Sequence, residues 1–410
     1  MNCFSGFSEN ASGRSRRENL LDDCSGHEPE MVSSRTVPFN RPTLRGKESV
    51  YIQEALAGTR FAGGGPFTQR VESALAANFG GAEVFLTNSC TAALEIAALL
   101  TVMPGDEVVL PSFAYATTAS SFARCGAKLV FVDIRPDTFN IDPRAVAAAI
   151  GPKTRAIVAV HYAGVGADVE ELGSIAADAG LAFIEDAAQG FGATYRKQPL
   201  GTFGTLGAIS FHETKNAMSG EGGALIVNRP ELAERVRIIR DRGTNQQQFV
   251  LKQVEAYQWL DLGSAFAPSE LVAAFLLAQV EAIDEITADR LRMWHTYHDA
   301  FEALEQAGCV RRPVVAPQAG HNGHIYHLLL ADAARRPAIL DELNRRGIGA
   351  VFHYVPLHSS PAGRRYGRIA GSVSVTEDVA SRLVRLPLHV TLNGHDQAAV
   401  IDAVNGVLAR

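Results

Sequence analysis

The chain has 410 residues, of which 47% are hydrophobic and 20% charged, a composition typical of a globular protein with room for two domains. Its formal net charge of −6 lacks the basic surplus of nucleic-acid-binding proteins and argues against binding to an anionic membrane surface. No apolar run reaches the roughly 20 residues that a membrane-spanning helix needs.

Two features of the sequence indicate a cytoplasmic protein. Residues 1–36 are rich in Ser, Asn, Arg and Glu and lack the apolar stretch of a signal peptide. We expect them to form a flexible tail, unless translation begins at Met31. The cysteines are odd in number and widely spaced, as is typical of reduced thiols: Cys3, Cys24, Cys90, Cys125 and Cys309.

From Val37 onward, short apolar runs alternate with helical patterns. Seven apolar runs are predicted strands: Val84–Thr87, Glu107–Pro111, Lys128–Asp133, Ala156–His161, Ala182–Asp186, Ala208–Phe211 and Ala224–Asn228. The helical patterns before and between them are Phe67–Phe79, Thr91–Leu100, Ala116–Cys125, Pro143–Ala149 and Asp168–Ala179. This alternation predicts a three-layer α/β fold, in which helices cover both faces of a mainly parallel seven-stranded sheet.

The sequence beyond Pro268 predicts a second, smaller domain. A helical pattern continues to about Leu304, and strands and helices follow it. These later elements are a predicted strand at Ile325–Leu330, a helix at Pro337–Arg346 and a candidate strand at Gly347–Tyr354. We therefore predict a large domain at residues 37–285 and a smaller C-terminal α+β domain at residues 286–410.

A single lysine, Lys215, stands in a short polar segment between two of the predicted strands. A lysine held in such a site loses solvation, which disfavours its charged form and makes its amine a nucleophile. This is the chemistry of a Schiff base with pyridoxal phosphate, an aldehyde cofactor. The alternative interpretation is a surface turn, in which Glu221 is the solvated partner of Lys215.

Three other segments carry residue types that suit the same cofactor. The segment 87–92 joins a strand to a helix, and the N–H groups at a helix N-terminus bind phosphate, although Ser89 or Thr91 could equally serve only as a cap. A strand ends in Glu185 and Asp186, and a buried Asp there can pair with a protonated pyridine nitrogen. Alternation points the two carboxylates to opposite sides, and we favour Asp186 for the cofactor, although either residue could instead cap a helix.

Two further residues lie close to these segments in the predicted fold. Ser210 ends a strand and can add a hydroxyl to the phosphate site. Tyr115 follows another strand, where its ring could stack on the cofactor or belong to the core.

These pieces, in this order and spacing, resemble the DegT-type sugar-nucleotide aminotransferases, which share the aspartate aminotransferase fold. The resemblance extends from Val37 nearly to the C-terminus. The matching segments are Phe61–Arg70, Ser89–Thr91, Val160–Gly164, Glu185–Gly190, Ser210–Asn216, Arg242–Asn245 and Phe352–His358. It is closest to members that form dTDP-4-amino-4,6-dideoxygalactose for bacterial surface polysaccharides.

The resemblance also implies roles for individual residues. Lys215 would be the Schiff-base lysine and Asp186 the partner of the pyridine nitrogen, and these two are the predicted catalytic residues. The predicted cofactor-binding residues are Cys90, Thr91, Ala92, Tyr115, Asp186, Gln189, Ser210, Lys215, Asn216 and Ser264. Among them, Ser264 replaces an Asn that many members send from the partner subunit, which is absent here near Ala267.

The implied reaction moves an amino group from L-glutamate to the C4 keto group of dTDP-4-keto-6-deoxyglucose, or of another nucleotide keto sugar, with ping-pong kinetics. Arg60 and Arg242 are candidates for binding the diphosphate. His353 and His358 are candidates for the sugar, although structural roles suit them equally well. The family also implies a homodimer whose active sites use both subunits.

Other functions fit the residues less well. A dehydratase variant of this fold carries a histidine where this chain has Lys215. A nicotinamide oxidoreductase would need Gly-x-Gly-x-x-Gly after a strand, but Gly164-Val165-Gly166 is followed by Val169 in the third position. The histidines at 321, 324 and 327 do not share one strand face, so we expect no metal. A non-catalytic regulator that binds the cofactor remains open.

Overall fold

A computed structural model describes residues 36–408 of the chain. The predicted tail, apart from its last residue Thr36, lies outside these residues, and so does Met31, the alternative translation start. The strands are β1 (Glu83–Thr87), β2 (Glu107–Pro111), β3 (Lys128–Val132), β4 (Thr154–Val160), β5 (Ala182–Asp186), β6 (Thr194–Tyr195), β7 (Gln198–Pro199), β8 (Leu206–Ser210), β9 (Gly223–Val227), β10 (Val310–Arg311), β11 (Ala319–Gly320), β12 (Tyr326–Leu330), β13 (Gly367–Ile369) and β14 (Leu383–Leu386).

Helices connect most of these strands. They are α1 (Glu48–Ala57), α2 (Pro66–Asn78), α3 (Cys90–Thr101), α4 (Ala116–Arg124), α5 (Pro143–Ala149), α6 (Val169–Asp178), α7 (Ala233–Arg240), α8 (Gln246–Val250), α9 (Glu270–Glu281), α10 (Ile283–Ala300), α11 (Glu302–Gln306), α12 (Arg336–Arg345), α13 (Pro361–Tyr366), α14 (Ser374–Arg382) and α15 (Gly394–Leu408). Short 3-10 turns stand at Tyr162–Gly164, Pro230–Leu232, Ala333–Arg335 and Leu357–Ser359. Within residues 36–408, no helix is both long and apolar enough to cross a membrane.

The large sheet confirms the predicted α/β fold and extends it by one strand. Its order is β1-β9-β8-β5-β4-β2-β3-β13, and all seven predicted strands belong to it. Only β9 runs antiparallel to its neighbours β1 and β8, and the other pairs are parallel. The eighth strand, β13, comes from the C-terminal part of the chain and is too short and too exposed to show a strand pattern in the sequence.

Both faces of this sheet are buried, because alternate side chains enter different cores. Along β4, Val158 joins a core that includes residues of α3, α4 and α7, whereas Ile157 joins a core with residues of α5 and α6. Along β9, Leu225 joins the first core, while Ile226 packs with residues of α2 and α9. This arrangement explains why the strands are almost continuously apolar.

The C-terminal part contains an antiparallel sheet of β10, β12 and β14, which shares a core with α10, α12 and α15. The helical pattern after Pro268 is divided into α9, α10 and α11. The expected strand at Gly347–Tyr354 was wrong, because only isolated bridges form there and Tyr354 has a positive φ of 33°. The domain boundary at 285/286 stays a prediction.

Candidate active site

A cavity of about 510 Å³ lies at the carboxyl ends of β4, β5 and β8 and extends to β14. Parallel sheets commonly bind ligands at this edge. The lining includes eight of the predicted site residues: Cys90, Thr91, Tyr115, Asp186, Gln189, Ser210, Lys215 and His353. The fold thus brings together residues that lie as far as 263 positions apart, from Cys90 to His353.

Lys215 lies in the turn between β8 and β9 and reaches the cavity. Its backbone N–H donates to His212 O at 2.8 Å, which fixes the turn. Burial lowers the pKa of the Lys215 amine below its ordinary value. Glu221 lies 3.6 Å from His212 Nε2 and forms no ion pair with Lys215. The surface-turn interpretation of Lys215 therefore does not describe the structure.

Asp186 ends β5 and is only 4% exposed. Thr118 Oγ1 donates to its Oδ2 at 2.6 Å, and the N–H of Ala188 donates to its Oδ1 at 3.2 Å. Burial raises the pKa of Asp186. The two hydrogen bonds hold the carboxylate in place. Because it is buried, its charged form is unfavourable unless a cation lies beside it.

Glu185, the neighbouring carboxylate, lies on the opposite side of β5 and is fully buried. It accepts hydrogen bonds from three backbone N–H groups of residues 201–204 and lies 2.9 Å from His161 Nε2. As alternation along the strand predicts, the two side chains point to opposite sides, and Asp186 lines the cavity whereas Glu185 does not. Glu185 instead holds the turn before β8.

The first turn of α3 lies beside the cavity. Ser89 caps the helix by accepting from the N–H of Ala92 at 3.1 Å, so the N–H groups of Cys90 and Thr91 have no partner inside the helix. Gly223 lets this turn pack on β9, since a Cβ there would lie 2.3 Å from the carbonyl carbon of Ser89. Ser89 therefore acts as a helix cap, and the N–H groups of Cys90 and Thr91 suit an anion, so the phosphate site stays a prediction.

Polar and aromatic side chains form another wall. Gln189 accepts from the N–H of Ala163 at 2.7 Å and donates through Nε2 to Tyr354 Oη at 2.9 Å. The ring of His353 stacks on Tyr354 at 3.6 Å. Tyr115 stands at this wall with 61% of its surface exposed, so it is not a core residue.

Two predicted cofactor residues lie next to the cavity without lining it. Ala92 is buried in the first turn of α3. Asn216 follows Lys215, but its Nδ2 donates to Asn322 O at 3.0 Å and its Oδ1 lies 2.8 Å from His324 Nδ1. Asn216 therefore supports His324, which does line the cavity.

Four other predicted residues do not line this cavity. His358 is buried, with Nδ1 2.6 Å from Ser112 Oγ. Arg60 donates to Gly63 O, and Arg242 donates to Gln246 Oε1. Ser264 lies in the exposed segment before α9. The roles predicted for these four residues stay predictions.

Among the cavity residues that were not predicted from the sequence are Thr118, His324, Tyr354 and Arg385. Thr118 had a usable signal, because it follows Tyr115 by three residues on one face at the start of α4. Tyr354 lies in a segment that matched the family, where only the two histidines were singled out. His324 and Arg385 had no local signal, since their distance from Lys215 along the chain exceeds 100 residues.

The sequence model of the DegT/DnrJ/EryC1/StrS aminotransferase family matches residues 42–405. GDP-perosamine synthase of Caulobacter vibrioides is 32% identical over 373 residues, covering 90% of this chain and 97% of that protein. The spore coat polysaccharide biosynthesis protein SpsC of Bacillus subtilis is 30% identical over 389 residues, covering 92% and 99%. The crystal structure of the aminotransferase TlmJ from Streptoalloteichus hindustanus is similar with a TM-score of 0.84 and 30% identity, covering 92% and 99%.

Proposed function

This chain belongs to the DegT/DnrJ/EryC1/StrS aminotransferase family, and from that premise we propose that it transfers an amino group from L-glutamate to the C4 keto group of a nucleotide-linked 4-keto-6-deoxyhexose. It is a sugar aminotransferase that uses pyridoxal 5′-phosphate. The observation that supports this reaction most directly is the meeting of Lys215 and Asp186 in one cavity.

The residues present fit this cofactor. The first turn of α3 offers the N–H groups of Cys90 and Thr91 to a phosphate, with the hydroxyl of Ser210 nearby on the same cavity wall. Asp186 lacks a cationic partner among the described residues, and a protonated pyridine nitrogen would supply one. Lys215 provides an amine whose pKa is lowered by burial.

Two residues of the chain have different roles in this reaction: Lys215 transfers protons, and Asp186 stabilises charge. When bound, pyridoxal phosphate supplies an electron-accepting ring that stabilises the charge left on the substrate carbon after its proton leaves. Lys215 Nζ removes that proton and later returns one, which requires an amine that is unprotonated near neutral pH. Asp186 would supply the negative charge that a protonated ring nitrogen needs, and Thr118 and the Ala188 N–H orient its carboxylate.

The sugar substrate is proposed from relatives and from the resemblance of the motifs. The C. vibrioides relative is named for a GDP-linked product, which supports a nucleotide-linked substrate here. SpsC is named for spore coat polysaccharide biosynthesis, which supports a role in surface polysaccharide or glycan formation. The motif resemblance favours dTDP-4-keto-6-deoxyglucose, with dTDP-4-amino-4,6-dideoxygalactose as the product.

We further propose that the enzyme is a homodimer with shared active sites. Exposed apolar side chains of residues 249–262 lie in the segment that leads to Ala265 and Phe266. The carbonyls of these two residues accept from the side chain and backbone N–H of Asn88, immediately before the phosphate turn. A partner that covers this segment would therefore lie beside the cavity, where Ser264, Arg60 or Arg242 could reach the partner's substrate.

The experiment that tests this function is an absorbance spectrum of the holoenzyme. L-glutamate should bleach the yellow absorbance of the bound cofactor, and dTDP-4-keto-6-deoxyglucose should then restore it. A GDP-linked 4-keto-6-deoxyhexose serves as the second acceptor. Bleaching that neither sugar reverses would reject the proposed acceptor class, and an unbleached spectrum would reject glutamate as the donor.

A further inference from the structure

His324 is a cavity residue to which the reaction above assigns no role. It lies just before β12, lines the same cavity as Lys215 and is only 9% exposed. Its N–H donates to Asn322 Oδ1 at 3.1 Å, and its carbonyl accepts from Arg290 Nη2 at 2.7 Å. These two bonds hold the His324 backbone and thereby fix where the imidazole stands beside the reaction site.

The hydrogen bonds around His324 determine which of its ring nitrogens carries the hydrogen. Asn322 Nδ2 donates to the carbonyls of Gln189 and Phe191, at 2.9 and 2.8 Å, which orients this amide. Asn216 Nδ2 donates to Asn322 O at 3.0 Å, so Asn216 Oδ1 is the atom that lies 2.8 Å from His324 Nδ1. Because an amide oxygen only accepts hydrogen bonds, Nδ1 carries the hydrogen.

The other ring nitrogen of His324, Nε2, is left as a hydrogen-bond acceptor. Burial, with Lys215 and Arg290 nearby, lowers the pKa of His324 well below its ordinary value, so the ring is neutral at neutral pH. Within residues 36–408, Nε2 makes no hydrogen bond. It is not one of the enclosed polar atoms that lack a partner, such as His327 Nδ1, so it is open to the cavity. A ligand there meets an acceptor that has no hydrogen to give.

The two other histidines of the cavity differ from His324. His212 Nδ1 accepts from the N–H of Thr214 at 3.3 Å, so in the neutral ring Nε2 carries the hydrogen. His353 Nδ1 lies 2.8 Å from Tyr162 Oη, a hydroxyl that can donate or accept, so this contact does not select a tautomer. Among the described residues that line the cavity, His324 is therefore the histidine whose Nε2 is fixed as an acceptor.

We propose that His324 Nε2 accepts a hydrogen bond from the C3 hydroxyl of the keto sugar and thereby selects sugars that carry this hydroxyl. This inference rests on the proposed function. Asn216, which holds the His324 ring, directly follows Lys215 in the chain, so the two side chains act on neighbouring parts of a ligand. In a 4-keto-6-deoxyhexose the carbons next to C4 are C3, which carries a hydroxyl, and C5, which carries the methyl group. The C3 hydroxyl is therefore the hydrogen-bond donor nearest to the reacting carbon.

The other groups that enter the cavity suit this acceptor less well. The phosphate of the cofactor and the carboxylates of glutamate have oxygens without hydrogens, which would face the lone pair of Nε2. The ammonium group of glutamate can donate, but Arg290 already places a positive charge beside His324, which disfavours a second cation there. A neutral hydroxyl makes the hydrogen bond without this repulsion. The two half-reactions separate the hydroxyl from the ammonium group.

The test compares two acceptor sugars in the second half-reaction of the holoenzyme: the 4-keto-6-deoxyhexose that restores the absorbance, and its 3-deoxy analogue on the same nucleotide. At subsaturating concentrations the wild type should react roughly 10- to 100-fold faster with the hydroxylated sugar, because the analogue leaves a buried acceptor without a partner. His324→Asn keeps an N–H in the place of Nδ1 and lacks Nε2, so the two sugars should react at similar rates. His324→Gln carries an oxygen near the place of Nε2 and should retain part of the preference.

The control is His295→Asn, because His295 is exposed on α10 and does not line the cavity, and this variant should keep the wild-type preference. A second readout needs no turnover. The nitrogen NMR spectrum of the isotope-labelled apoenzyme should show a protonated Nδ1 and an unprotonated Nε2 that disappear together in His324→Asn.

Three outcomes would overturn the inference. The first is an equal rate of the wild type with the two sugars, a comparison that depends on no variant that must fold. The second is a preference that persists in His324→Asn. The third is a loss in His324→Asn that is confined to bleaching by glutamate, because the ammonium group would then be the partner of Nε2. A wild-type enzyme whose absorbance no nucleotide-linked 4-keto-6-deoxyhexose restores would instead overturn the proposed function itself.

Discussion

At the scale of single residues, the candidate active site contains Lys215 and Asp186, two ionisable groups whose burial disfavours their charged forms. Burial lowers the pKa of Lys215 and raises that of Asp186, so each charged form is costly in the protein without its cofactor. Both groups line the cavity. A bound cofactor with a cationic ring nitrogen would remove the cost for Asp186, which couples cofactor binding to stability.

Asp186→Asn should therefore lower turnover without lowering the stability of the apoenzyme. The apoenzyme of this variant should unfold at a temperature equal to or above that of the wild-type apoenzyme, because a buried charge is removed. Its stabilisation by added pyridoxal phosphate should be smaller, and its turnover should fall by roughly 100-fold or more, as is common when an electrostatic partner in a reaction site is lost. Thermal unfolding with and without cofactor measures the first two effects.

The pH dependence of this comparison follows from the sign of the shift. Because the folded-state pKa of Asp186 is raised, its protonation stabilises the apoenzyme at low pH, and that stabilisation is lost as the pH rises through the folded pKa. The stability advantage of Asp186→Asn should therefore grow from acidic to neutral pH. An advantage that is constant or shrinks over that range would contradict the assignment.

Glu185→Gln, one residue earlier, should have the opposite effect on stability. Its carboxylate receives three backbone N–H groups and faces His161 Nε2, all in a fully buried position. An amide can accept fewer of these bonds and adds N–H donors of its own, so we expect a loss of about 2–3 kcal/mol in the free energy of unfolding. Chemical denaturation measures it, with the Glu171→Gln variant on the exposed side of α6 as the control.

At the scale of secondary-structure elements, Glu270 connects α9 to α2, two helices that share a core on one face of the large sheet. It is the first residue of α9, and its buried carboxylate accepts from the N–H groups of Gly65, Phe67 and Thr68 at the start of α2. A carboxylate suits this place, because the N-terminus of a helix carries partial positive charge. The contact also fixes the loop before α2, which contains Arg60.

Glu270→Gln should consequently weaken the docking of α2 on α9. We expect a loss of about 1–3 kcal/mol in the free energy of unfolding, since the charge is removed while the side-chain volume stays the same. Hydrogen exchange should become faster in α2 and remain unchanged in the strands of the large sheet. Equal exchange in α2 of the variant and the wild type would show that the carboxylate does not hold this helix.

The elements that the sequence predicted correctly are those with a strong local pattern. The seven apolar strands and the helices between them are in place, since burial on both faces makes each strand apolar over its whole length. Lys215 was found because it follows such a strand, and Asp186 because it ends one. The strand β13 and the irregular path near Tyr354 were missed, because their conformation depends on contacts with distant segments and not on local periodicity.

Among the cavity residues too, a local sequence pattern allows prediction, whereas a position that depends on distant contacts does not. Thr118 acts one helical turn after Tyr115 and could have been found by helical spacing. Arg385 reaches the site only because β14 pairs with β12 and with Val351, a pairing that no sequence pattern specifies. Arg385 is therefore a residue that sequence reasoning misses, because a second sheet brings it to the site.

At the scale of the whole molecule, the most exposed apolar surface lies in one segment. Residues 249–262 include seven exposed large hydrophobic side chains: Phe249, Val250, Leu251, Tyr257, Trp259, Leu260 and Leu262. Such concentrations on a globular protein commonly mark an interaction surface. The segment is adjacent to Asn88 and the phosphate turn, as described above, so an interaction there would affect the reaction site as well as the assembly.

Trp259→Glu tests the proposed homodimer directly. Trp259 is 76% exposed, so the substitution should not disturb a core, whereas in a dimer interface it would bury a charge without a partner. We expect the variant to sediment as a monomer at concentrations where the wild type is a dimer, and to lose turnover in parallel if the sites are shared.

Met103→Glu is the matched control, because Met103 is 69% exposed in the turn before β2, at the end of the sheet away from the cavity. A Trp259→Glu variant that stays dimeric with full activity would place the interface elsewhere, and a monomeric variant with full activity would show that each cavity is complete within one chain.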